Sequence, residues 1–473
     1  MGLWQGESDN PRPGLLISSS PRQVRLPWKG TVAVLSLVLA LTIWLLGLLN
    51  SLRQPSVIPV LSLQQQEIAL LAEPVVPIPL HPLLLGSNPH ETLRRFLARI
   101  PLDRLDDRQR LLLAGLTPDT TSRRAALNTP ISEPVLESLR NALIESETHI
   151  GSTAPFQNLL GKLPDDPLLR SVSCNALGGL PSQCYLAGPA RIAFGQLVLS
   201  TAVPLLALLS GSLLLLRHLW QLLRSSLPAW PPLRGALTLT LADMSLLVAG
   251  GFVILSEVIA PLIIAPLIGS ISWLANSPQR NAIGVVIGYG ALALPPLIIL
   301  FLQLRGLEQD LCPPTGWLQW RIQPVGRAIT QSIRGWLMVM PPVLLTGQLA
   351  SRVLGDQGGS NPLLEFVLRS HDFLSLILLA TTAIVIAPLF EEAIFRGVLL
   401  PVLCRRLGKI WGVFSSALVF AVAHLSVGEL LPLLVLGLGL GLLRLSSGRL
   451  FPSVLMHALW NGVTFTNLLL LRS

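Results

Sequence analysis

The chain has 473 residues, 51% of them hydrophobic and only 12% charged. A soluble protein carries about 25% charged residues, so this composition indicates an integral membrane protein and excludes an ordinary soluble enzyme. The net charge of +9 is not gathered with aromatics or glycine-rich arms; the basic residues lie between apolar runs, so no nucleic-acid partner is expected.

Residues 1–30 read as a basic, proline-rich cytoplasmic segment. Its start, MGLWQG, misses the myristoylation pattern, because Gly6 stands where Ser or Thr is required. TVAVLSLVLALTIWLLGLLN follows at 31–50, about the twenty apolar residues a spanning helix needs. SLRQPS then replaces the small-residue site of a cleaved leader, so 31–50 reads as an uncleaved signal anchor.

Residues 51–190 carry most of the acidic side chains and read as a small, mostly helical soluble domain. In SNPHETLRRFLARI, Asn88 is placed to cap, Pro89 to open the helix and Glu91 to close a capping box. SEPVLESLRNALIES puts Val135, Leu139 and Leu143 on one face. Nothing in the domain suggests chemistry; it reads as a packing or docking module. Among Cys174, Cys184, Cys312 and Cys404 there is no C-x-x-C, which argues against a thiolate zinc site. Cys174 and Cys184 could pair in an oxidising compartment.

Further apolar runs cover roughly 193–216, 241–268, 282–303, 335–354, 374–395, 410–425, 429–444 and 449–470. With the anchor this predicts an all-α, polytopic transmembrane bundle of about nine spans. Residues 191–330 supply the first helices and their cytoplasmic loops, and 331–473 form the C-terminal core. Lys and Arg alternate between the short loops. Arg12, Arg22, Arg25 and Lys29 share a side with Arg217, Arg224, Arg234, Arg305, Arg321, Arg327, Arg334, Arg405, Arg406, Lys409, Arg444 and Arg449. The opposite side holds Arg280, Arg369 and Arg472. The positive-inside rule then places the N-terminus in the cytoplasm and residues 51–190 on the far side.

The C-terminal core carries polar groups that lipid penalises by roughly 2.5–3.5 kcal/mol each on insertion scales. FEEAIFRG holds Glu391, Glu392 and Arg396; VFAVAHLS holds His424, one turn after Phe420; LMHALWNG holds His457 and Asn461. Glu392 and Arg396 are spaced for an ion pair on one helix face, which is a structural reason for both. Glu391 points about 100° away, toward other spans. A single buried His or Asn is often a helix–helix hydrogen-bond partner. One carboxylate, two imidazoles and an amide together supply a base, a proton or metal partner and an oxyanion donor.

EEAIFR fits EExxxR, FAVAH fits FxxxH and HALWN fits HxxxN, in that order. Over about residues 330–470 the chain therefore resembles the CPBP family of intramembrane proteases, which includes the CAAX prenyl endopeptidases and bacterial relatives. The resemblance implies an intramembrane endopeptidase of a bacterial plasma or thylakoid-type membrane, acting on membrane-anchored or lipid-modified peptide substrates. It implies Glu391 as the base activating water with the aid of His424, and His457 and Asn461 as oxyanion partners. Glu392, Arg396 and Phe420 support the motif. Family members are commonly called metalloproteases, and Glu391, His424 and His457 are a possible zinc set; a metal-free glutamate mechanism needs the same side chains. The alternatives are a non-catalytic membrane scaffold or immunity-type protein, and a proton-coupled transporter. A transporter would be expected to show repeated halves with paired broken helices, which the sequence lacks.

Overall fold

The computed structural model describes residues 27–131, 133–145, 163, 166–224, 229–271, 277, 279–355, 357–359, 362–370 and 372–472. The Lys and Arg residues placed before residue 27 lie outside that set, as does the MGLWQG start. Helices make up the regular structure among the described residues.

Helix α1 is the anchor, Pro27–Ser51. The soluble domain follows with α2 (Ile58–Ala72), α3 (Pro89–Ala98), α4 (Asp107–Leu116), α5 (Thr120–Ala126), α6 (Pro134–Glu145) and α7 (Pro167–Ala176). Its core is leucine-rich, with Leu93, Leu97, Leu111, Leu112, Leu139, Leu143 and Leu169 buried together. Asn88 caps α3 by accepting from Glu91 N at 3.0 Å, with Pro89 at the first helical position. The expected capping box does not close. The Glu91 carboxylate turns outward to Arg94 and Arg95, two cations one turn on, instead of back to Asn88. On α6 the buried face is Leu136, Leu139 and Leu143, with Val135 at its margin. Cys174 and Cys184 form the disulfide.

Among the described residues, eight helices are long and apolar enough to cross a membrane. They are α1; α8 (Ala187–Leu223); α9 (Leu241–Ser270); α10 (Arg280–Arg305); α11 (Val325–Leu354); a 50-residue helix, Phe373–Val422; α15 (Val427–Ser447); and α16 (Phe451–Leu471). The 50-residue helix is two helices joined at a sharp bend. At Gly408, φ is +81° and ψ 166°, a conformation that side-chain-bearing residues rarely adopt, and the chain folds back on itself. A Cβ on Gly412 would lie 2.6 Å from Cys404 Cα across that fold. Residues 373–407 are α13 and residues 409–422 are α14. A short helix, α12 (Pro362–Arg369), precedes them.

Membrane helices bury only one stripe each, and the remaining leucine, isoleucine and valine side chains face outward where lipid covers them. Two apolar cores flank the α13–α14 hairpin. On one side Trp44 of α1, Leu247 and Phe252 of α9 and Leu300 of α10 pack on Phe390, Phe395 and Phe420. On the other, Ala207, Trp336, Val339, Leu436, Leu440 and Met456 join α8, α11, α15 and α16. The LGLGLGLL run lets α15 approach closely: a Cβ on Gly437 would stand 3.0 Å from Ala417 Cα on α14.

The anchor also ties into the turn after α14. Val427 N donates to Ser51 Oγ at 3.1 Å, and Gly358 N and Gly359 N both donate to Gln54 O at 3.1 Å. Ser426, the cap of α15, donates its hydroxyl to Gly358 O at 3.1 Å. The loop that begins at His424 is thus held by α1, a segment some 370 residues earlier in the chain (|i−j| = 376 for Ser51 and Val427).

Candidate active site

Glu391 and Glu392 end a short α-helical stretch, Ala387–Glu392, between two π-helical stretches, Thr382–Ile386 and Ala393–Leu399. Wide turns of this kind add a residue per turn, re-aim the side chains beyond them, and recur at functional sites.

Glu392 and Arg396 form the ion pair their spacing predicts, with Arg396 Nη1 donating to Glu392 Oε1 at 2.7 Å and both side chains fully buried. The same Oε1 accepts from His457 Nδ1 at 3.0 Å, so one carboxylate oxygen joins α13 to α16. Arg396 Nη2 donates to Gly437 O at 3.3 Å, reaching α15 where that glycine opens the backbone. Phe420 is the platform between these groups. The Arg396 guanidinium carbon lies 4.2 Å from its ring centroid, and the rings of His424 and His457 meet it edge-on at 4.8 and 5.8 Å.

Glu391 occupies the adjoining face. Its Oε1 accepts from the Tyr289 hydroxyl of α10 at 2.6 Å. Its Oε2 is buried with no hydrogen-bond partner and lies 3.9 Å from His457 Nε2. His457 therefore stands between the two glutamates, one nitrogen toward each. His424 Nδ1 lies 2.8 Å from Phe420 O. A carbonyl only accepts, so Nδ1 carries the hydrogen and Nε2 of the neutral ring keeps its lone pair. Asn461 donates through Nδ2 to Ala383 O at 2.8 Å, pinning α16 to the first π-helical stretch.

Glu391, Glu392, Arg396, Phe420, His424 and His457 are thus linked by direct contacts. Asn461 follows His457 by one turn on α16. The ring turns to the glutamates and the amide to the α13 backbone, because each finds a buried partner on a different turn of α13. Asn461 retains a second N–H.

Glu391, His424 and His457 are the possible zinc set named from the motifs. Among the described residues no three His, Cys, Asp or Glu side chains come together closely enough to hold a metal ion. His424 and His457 have their Nδ1 atoms engaged by Phe420 O and by Glu392, an arrangement that leaves both Nε2 atoms without a hydrogen-bond partner here.

Sequence reasoning missed Tyr289. The one signal was rarity: it is one of only two tyrosines in the chain, alone in the apolar run GYGALALPP. It also missed Glu257 of α9, which accepts from Trp44 Nε1 at 3.2 Å, a pairing 213 residues apart. Arg444 was assigned to a cytoplasmic loop, but it lies in the last turn of α15 with 1% of its surface exposed, its Nη2 donating to Arg234 O. In the soluble domain, Arg108 bridges Glu67, at 2.9 Å, and Asp166 beside a cavity of about 480 Å³ that reaches α8.

Residues 373–463 match the family model described as Type II CAAX prenyl endopeptidase Rce1-like. These helices form an Rce1-like domain. The Rce1-like match contains Glu391, Glu392, Arg396, Phe420, His424, His457 and Asn461, and it leaves α1 and Tyr289 outside. Over those residues the chain is similar, at family level, to CAAX-type intramembrane endopeptidases. Residues 58–195 match a second model, a Domain of unknown function (DUF8675). No curated protein and no solved structure matches the chain.

Proposed function

We propose that the protein hydrolyses peptide bonds of membrane-anchored or lipid-modified substrates, with Glu391 as the base that activates water. The single observation carrying this is the Glu391 carboxylate, one oxygen held by Tyr289 and the other buried, unpartnered and facing His457. A carboxylate oxygen without a donor in so apolar a setting is costly unless it has a use.

In this reading Glu391 Oε2 takes a proton from a water as the water oxygen attacks the substrate carbonyl carbon. His424 assists through the lone pair of Nε2. His457 keeps Nδ1 on Glu392 and donates from Nε2 to the developing oxyanion. The free N–H of Asn461 is the second donor. When the tetrahedral intermediate collapses, the proton held by Glu391 passes to the departing amine nitrogen, leaving a carboxylate and an amine. Glu392 and Arg396 do no chemistry here; they fix His457 against α13 and α15. No step is routed through a metal.

The proposal extends to topology. The alternation of Lys and Arg between short loops and the disulfide of the 51–190 domain both support a cytoplasmic N-terminus with that domain on the oxidising side.

Comparative membrane proteomics of wild-type cells against Glu391→Gln cells tests the activity. New peptide termini should be present in wild type and missing in the variant, with both proteins inserted at equal level. Identical termini in both strains would end the proposal.

A further inference from the structure

Tyr289 lies on α10, outside the Rce1-like match, and reaches the motif helix over a separation of 102 residues. It is not there as packing alone. Its ring meets Phe390 edge-on with centroids 6.1 Å apart, which a phenylalanine would do equally well. The hydroxyl adds one thing, the 2.6 Å hydrogen bond to Glu391 Oε1.

That bond has a geometric consequence. A carboxylate at the end of a three-torsion side chain can rotate, and its two oxygens are interchangeable until something distinguishes them. Among the described residues, Glu391 has no other hydrogen bond. Its remaining polar neighbour is His457 Nε2, at 3.9 Å from Oε2. The tyrosine hydroxyl is therefore what assigns Oε1 to the α10 side and leaves Oε2 toward His457. Glu392 needs no such help, because Arg396 and His457 hold it directly.

We propose that Tyr289 is a positioning residue for the hydrolytic site: its hydroxyl holds Glu391 so that Oε2 faces His457 and the substrate carbonyl. This rests on the reading of Glu391 as the base. It also makes α10 a working part of the enzyme.

The test uses the full-length protein in lipid nanodiscs. The chain has only two tyrosines, so a Tyr185→Phe background makes biosynthetic 3-fluorotyrosine a probe of Tyr289 alone. Tyr185 lies in the soluble domain, away from the site. The single fluorine resonance should move when Glu391→Gln is introduced, and should stay in place with Glu257→Gln, a half-buried carboxyl on α9. In the second arm, Tyr289→Phe should slow the appearance of the wild-type cleavage termini about ten- to hundredfold, as expected for losing a hydrogen bond to a charged group. The loss should fall on kcat with KM little changed, a split that a merely structural role would not produce. A resonance indifferent to Glu391→Gln, or a Tyr289→Phe protein cleaving at the wild-type rate, would overturn the proposal. If wild type itself cleaves nothing, the protease reading falls, and the fluorine arm still decides whether Tyr289 holds Glu391.

Discussion

Arg396 and Glu392 meet at 2.7 Å with no solvent-exposed surface on either side chain. Breaking such a pair leaves one buried charge uncompensated, a loss of about 3–5 kcal/mol. Arg396→Ala should therefore unfold at much lower denaturing-detergent fraction in mixed micelles. The paired change Glu392→Gln with Arg396→Met should recover more than half of the loss, since no lone charge remains. If the double variant is as unstable as the single one, packing on Phe420 rather than charge carries the effect.

Asn461→Ala should reduce the cleavage rate by about 10²–10³, the usual consequence of losing one oxyanion donor, with little change in KM. Progress curves for termini identified by the proteomic comparison would give both constants. A rise in KM with unchanged kcat would assign Asn461 to substrate binding and to its bond with Ala383 instead.

Because Glu391, His424 and His457 do not assemble a ligand cluster, cleavage should persist after treatment with a membrane-permeant chelator. Loss of activity on chelation, restored by zinc, would require Glu391 and the Nε2 atoms of the two histidines to draw together, with the Nδ1 contacts to Phe420 O and Glu392 kept. It would replace the mechanism proposed above.

The soluble domain should show a defined pH dependence. Burial raises the Glu67 carboxyl above its ordinary 4.5, with Arg108 pulling in the opposite direction. A carboxyl raised in the fold contributes stability that is complete below 4.5 and is lost as pH rises through the raised value. Glu67→Gln cannot titrate, so wild type should lose stability relative to that variant as pH increases from 4.5 toward neutrality. Glu91, which Arg94 and Arg95 hold down to about 2, acts with the reverse sign: its contribution disappears only as pH falls from 4.5 through about 2. The difference in thermal unfolding between the full chain and its Glu67→Gln variant across roughly pH 4–8 isolates this contribution, because groups common to both cancel. A flat difference between wild type and Glu67→Gln would contradict it.

Gly437→Val tests the close approach of α14 and α15. Even a single Cβ there would stand 3.0 Å from both Ala417 Cα and Cβ, so a branched side chain must push the helices apart. Overpacking of this kind costs about 1–3 kcal/mol. Because Gly437 O also receives Arg396, activity should fall along with stability. A fully active Gly437→Val protein would show that the contact is slack.

Local features of this protein were legible in its sequence because short-range physics determines them. Runs of about twenty apolar residues specify spanning helices. The Glu392–Arg396 pair follows from one helical turn, the Asn88 cap from side-chain reach, and the Cys174–Cys184 bridge from a ten-residue separation. The three motifs also picked out residues that meet in the fold, since EExxxR, FxxxH and HxxxN each sit within a turn or so of helix. What those residues touch was decided elsewhere. The His457 bridge between two glutamates, Phe420 as a shared platform, the hold of α1 on the turn after His424, and the Tyr289 hydroxyl on Glu391 all join helices distant in the chain. Periodicity tells a helix which face to bury, but in a bundle clad in lipid every apolar face is acceptable somewhere. Only the packed arrangement, set by close backbone approaches and by buried polar groups that must find partners, selects which faces meet.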